Sequence, residues 1–80
     1  MTQSPDALRR QLIASLNAIS DPEERLRKFN DIESELKLDF KQVKARIARD
    51  LKAANRTWPQ VGEIFGVTGA RAEQISRAAR

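Results

Sequence analysis

From Glu23 to Thr57 the chain contains neither glycine nor proline, and its apolar residues recur at Leu26, Phe29, Ile32, Leu36, Phe40, Val43, Ile47 and Leu51. Steps of three and four residues place these side chains in one stripe along an α-helix. Asp21-Pro22-Glu23-Glu24 supplies the start signal: Asp21 caps, Pro22 takes the first helical position, and Glu24 stands three residues after the cap. One helix from Pro22 to about Ala54 fits this pattern and would be roughly 50 Å long at ~1.5 Å per residue. A second reading stays open, in which Asp39 caps a new helix, with Gln42 three residues on, and the chain breaks at Leu38-Asp39. The difference matters because a compact chain of this length is only about 25 Å across. An unbroken helix would overhang such a globule and expose its stripe. We therefore expect a homodimer that covers the stripe through residues 5–40. The alternative is a monomer that folds back at Asp39.

The remaining segments also read as helix, so the expected fold class is all-α within a single domain, residues 1–80. It would comprise an N-terminal helix, a long second helix that is either continuous or broken, and two short C-terminal helices. No stretch alternates apolar and polar residues for long enough to form a strand. Ser4 can cap the first helix, with Pro5 at its first position, where a missing N–H costs nothing. Leu8, Leu12, Leu16 and Ile19 share one face, Ile13 broadens it, and the helix should end near Ile19 or Ser20.

Composition removes several functions. The 80 residues include no cysteine and no histidine, so there is no disulfide, no Cys/His zinc site and no histidine general base. The carboxylates are not gathered in one loop, and no Gly-rich phosphate loop is present. Glu23/Glu24 and Glu33/Glu35 read as helix-start and surface charges. We expect neither an enzyme nor a bound cofactor or metal. No apolar run approaches the ~18 residues of a membrane span, and the N-terminus lacks a basic-then-apolar leader. The expected location is the cytoplasm, on the nucleoid.

Charge divides the chain. Residues 1–40 hold six Lys/Arg and eight Asp/Glu, a net of −2, whereas residues 41–80 hold nine and three, a net of +6. Within 41–56, Lys41, Lys44, Arg46, Arg49, Lys52 and Arg56 stand against Asp50 alone. A basic segment of this kind is either a solvated helix face or an electrostatic footprint for a polyanion. The residues downstream of it favour the second. Asn55 tolerates the left-handed conformation and can stop the basic helix. Thr57 then caps a short helix, with Pro59 in its first turn and Gln60 completing a capping box. Trp58, Val61, Ile64 and Phe65 form its apolar face. Gly62 suits a close helix crossing, Gly66 a sharp left-handed turn, and Val67 plugs the corner. Thr68 caps a last helix, expected to run to about Ala79, with Ala72 and Ile75 facing inward.

This spacing is that of a helix-turn-helix. The string Trp58-x-x-Val61-Gly62-x-x-Phe65-Gly66-Val67-Thr68-x-x-Arg71-Ala72-x-Gln74-Ile75 resembles region 4 of sigma factors and the small sigma-like regulators of bacteria. It departs from that pattern at Ala72, smaller than the usual Val or Ile, and at Glu73, acidic where phosphates are expected. The resemblance implies that the last helix enters the major groove of double-stranded DNA. Arg71 would then read guanine and Gln74 adenine, each through two hydrogen bonds. Gly69 and Ala70 would let the backbone approach closely. Thr68 belongs to the same contact region. Glu73 would accept from a cytosine amine, repel wrong sequences, or simply pair with Arg77 at i+4. Thr57, Gln60, Arg49, Lys52, Arg56 and Arg77 are the candidate phosphate contacts. Lys41, Lys44 and Arg46 lie further from the motif and are read as solubilising charges. Trp58 is read as core rather than as a platform for a sugar.

The expected function is therefore sequence-specific binding of double-stranded DNA by a dimeric transcriptional regulator, with residues 41–80 as the DNA-binding part. Two alternatives remain. A phage or plasmid packaging, excision or partition factor would use the same module. A helical protein-interaction module, for instance one contacting RNA polymerase, would use the acidic half instead.

Overall fold

The computed structural model describes residues 3–78, and among these it is all-α, 80% helical with four helices and no strand. The helices are α1 (Pro5–Asn17), α2 (Pro22–Ala53), α3 (Trp58–Phe65) and α4 (Gly69–Ser76). Local chemistry fixes nearly every boundary. The Ser4 hydroxyl accepts from the Ala7 amide at 3.2 Å to open α1. The helix ends at Asn17, slightly before the expected Ile19 or Ser20. Asp21 Oδ2 accepts from the Glu24 amide at 3.1 Å to open α2. The 32-residue α2 runs unbroken through Leu38-Asp39, so Asp39 does not start a new helix. Asn55, at φ 66°, stops the chain after it as expected.

The chain divides into two compact units, one ending at Glu35 and the other beginning at Leu36, and α2 contributes to both. The first unit is a helical hairpin. Arg25 donates from Nε and Nη2 to the Ile19 carbonyl at 3.0 and 2.8 Å, tying the turn after α1 to the start of α2. Ile13, Leu16, Leu26 and Phe29 line an apolar cleft of about 430 Å³ in this hairpin. None of its described residues is buried, and Leu26 and Phe29 remain 59% and 44% exposed. Two helices alone cannot surround a side chain on all sides, so the hairpin has an apolar face without a core.

The second unit does have a core, made largely of small residues. Ala48, Val61 and Ala72 are fully buried, with Leu51, Trp58, Phe65 and Ile75 packed around them. Ala45 is also fully buried. The unbroken α2 leaves part of its apolar stripe exposed, as expected of a helix of this length. The large residues Phe40, Val43 and Ile47 are exposed, whereas Ala45 and Ala48 on another face of the helix are buried. At ~100° per residue, Ala45 and Ala48 lie roughly 140° around the helix from that stripe. Alanine allows helix axes to approach closely, so the basic stretch of α2 presents its small face to the core. Two expectations fail. Ile64 is 52% exposed rather than part of the inner face of α3, and Val67 is exposed rather than plugging the corner.

Candidate nucleic-acid interface

The α3–α4 pair is built by reciprocal caps and close backbone contact. Thr57 Oγ1 accepts from the Gln60 amide at 3.3 Å, and Gln60 Oε1 accepts from the Thr57 amide at 2.9 Å, a complete capping box. The turn after α3 uses Gly66 at φ 74°, with the Val67 amide donating to the Gly62 carbonyl at 2.8 Å. Thr68 Oγ1 then accepts from the Arg71 amide at 3.1 Å and opens α4. A Cβ on Gly62 would lie 2.6 Å from the Thr68 carbonyl carbon, and one on Gly69 would lie 2.9 Å from the Pro59 nitrogen. The two helices therefore cross backbone to backbone. The absent side chain of Gly69 serves this crossing, a packing reason for glycine that the sequence did not reveal.

On α4, Ala72 and Ser76 are buried, whereas Ala70, Arg71, Gln74 and Arg77 are exposed. Ala70, Gln74 and Arg77 follow at i, i+4 and i+7, so they share the outer face, with Arg71 on its flank. Arg71 Nη1 donates to Gln74 Oε1 at 2.9 Å, so the two expected base readers are already joined. Gln74 Oε1 keeps a second lone pair for another donor. Arg77 lies 3.9 Å from Glu73 at i+4, as one of the sequence readings for Glu73 has it. Both side chains are largely exposed, so this pair contributes little to stability. The helix ends at Ser76, short of the expected Ala79, which lies outside the described residues. Ser76 donates its hydroxyl to the Glu73 carbonyl.

The expected phosphate contacts separate once their partners are known. Thr57 and Gln60 stand at the N-terminus of α3, engaged with each other. Arg56 is exposed beside them. Lys52 holds its ammonium 5.4 Å from the Trp58 ring centre, a cation–π distance. Trp58 itself packs against the core, as the sequence suggests. Arg49 has a structural task that the sequence did not reveal: its Nη1 donates to the Ser76 carbonyl at 2.8 Å, at the C-terminal end of α4. A cation there offsets the negative end of the helix dipole.

Sequence reasoning also overlooked the position of Lys41 and Lys44. Together with Arg71, Gln74, Ile75 and Ala78 they line a shallow cleft of about 310 Å³ between α2 and α4. The available signal was the row Lys41-Ala45-Ala48-Lys52 at i, i+4, i+7 and i+11, where small residues mark the packed face. No helix among the described residues is long and apolar enough to cross a membrane. In comparison with known proteins, the chain matches no family model, no curated protein and no solved structure.

Proposed function

We propose that this chain binds double-stranded DNA sequence-specifically, placing α4 in the major groove, and acts as a small transcriptional regulator of the sigma region 4-like type. One observation carries the reading: two capped helices joined at Gly66 leave Ala70, Arg71, Gln74 and Arg77 exposed on the second helix, in a unit rich in Lys and Arg. A helix with short and hydrogen-bonding side chains on its outer face can reach base edges. The amides opening α3, the Gln60 side-chain amide, Arg56 and Lys52 would hold phosphates, fixing register without reading sequence. The same reading puts the protein on the nucleoid.

The hairpin unit supports a homodimer within this proposal. Two copies of an apolar two-helix face make a four-helix bundle, the smallest arrangement that gives such faces a shared core. The uncovered Leu26 and Phe29 also favour a second reading, in which the hairpin docks on a helical protein such as RNA polymerase.

Selection from a randomised duplex library, with wild type beside Arg71→Ala, tests the proposal. An enriched palindrome that loses a G preference in the variant is the expected result. Failure to enrich any site, together with salt-insensitive or absent binding, overturns it and leaves the protein-docking reading.

A further inference from the structure

We infer that Lys41 and Lys44 of α2, in the cleft they share with Arg71 of α4, form a seat for backbone phosphates of the same duplex that α4 reads. The inference rests on the DNA-binding proposal and extends it to two residues outside the helix-turn-helix. Three observations carry it. The cleft lined by Lys41, Lys44 and Arg71 is concave, and its volume of about 310 Å³ is ample for a phosphate group. Among the described residues no carboxylate lines it, although unit two contains several. Of these, Glu73 is engaged with Arg77. Finally, Arg71 stands both in the cleft and beside Gln74 at the outer face of α4, so the cleft borders the surface that would meet bases.

Three cations lining one cleft repel one another, and an anion in their midst relieves that repulsion. A duplex offers phosphates at regular intervals on either side of an occupied groove. The charges that hold the ends of α3 and those of this cleft would then grip the backbone on two sides of α4. The small face of α2 makes this possible. Ala45 and Ala48 bring α2 against the helix-turn-helix, and Lys41, one turn before Ala45, is carried to the side of α4.

The test is the salt dependence of duplex binding by the full chain, measured by fluorescence anisotropy on the selected site and on unrelated DNA. Wild type is compared with Lys41→Gln/Lys44→Gln, Lys41→Arg/Lys44→Arg and the control Arg9→Gln/Arg10→Gln, which removes the same charge from α1. Each neutralised phosphate contributes about 0.9 to the slope of log K against log salt, so the glutamine pair should lower it by about 1.8. Affinity should fall alike on both DNAs, the arginine pair should restore the slope, and the α1 control should leave it unchanged. An unaltered slope, or an equal loss in the control, overturns the seat while leaving DNA binding by α4 intact. Loss of sequence preference in the glutamine pair overturns the assignment to phosphate. Absence of duplex binding by wild type overturns the underlying proposal together with the seat.

Discussion

The hairpin unit and the helix-turn-helix unit differ in how they use side-chain size. The hairpin carries Leu8, Ile13, Leu26 and Phe29, all exposed, and none of its described residues is buried. The helix-turn-helix unit completes its core with Ala45, Ala48, Val61 and Ala72 while Phe40, Val43 and Ile47 point elsewhere. Burial here follows from how closely backbones approach and from how many helices surround a point. Three helices meeting through alanine and glycine enclose a small volume completely. Two helices bearing leucine and phenylalanine enclose none, whatever the hydrophobicity of their side chains. The first arrangement depends on steric fit and the second leaves an apolar face that the proposed dimer would cover, and substitutions can separate the two.

The largest effect should come from Gly62→Val. Its new atoms would overlap the backbone at Thr68, and overpacking of this kind costs on the order of 3 kcal/mol. Thermal unfolding followed by circular dichroism should show loss of the helix-turn-helix with self-association retained; full native stability would contradict the crossing. Next comes Phe29→Ala in the hairpin. Truncating a central aromatic anchor of an interface costs about 2 kcal/mol, or roughly 30-fold in association. Sedimentation equilibrium should show the weaker dimer with helix content preserved; an unchanged association constant would remove Phe29 from the interface.

Two smaller effects sharpen the comparison within the second unit. Arg49→Ala removes the donor on the Ser76 carbonyl, and for an exposed side chain we expect about 1 kcal/mol. Faster amide exchange confined to the end of α4 would confirm this structural task, whereas a change only in DNA affinity would leave Arg49 as a phosphate contact alone. Ile64→Ser should alter stability by no more than about 0.5 kcal/mol, as usual for an exposed position. A loss comparable to that of a buried aliphatic residue would restore Ile64 to the core.

These cases mark how far the sequence could be read. Ser4, Asp21, Thr57, Thr68, Asn55 and Gly66 were legible because caps and left-handed stops depend on neighbours three or four residues away. The all-α class followed from the spacing of apolar residues. Which face of α2 meets the other helices was not legible. Periodicity finds the more hydrophobic stripe, and the packed face consisted of alanines that barely register on such a scale. The same blindness misplaced Ile64 and Val67, and it hid the close approach of Pro59 that Gly69 permits. Arg49 and the lysines of the cleft were hidden for a different reason. Their neighbours are on α4 or just after it, some 27 to 37 residues along the chain, so the alanine row marks the packed face of α2 without announcing what meets it.

Under the proposed DNA-binding reading, the hydrogen bond between Arg71 and Gln74 would have a consequence for how information is stored in the outer face of α4. A vocabulary in which each residue specifies one letter requires side chains that move independently. Here the orientation of one reader constrains the other, so the pair behaves as a single two-part symbol. Replacing Arg71 frees Gln74 to turn, and preference should then shift at both positions it and Arg71 would read. The energies of the two single substitutions would not add up to that of the double. A new preference through this helix would then be reached more readily by changing both residues than by changing either alone.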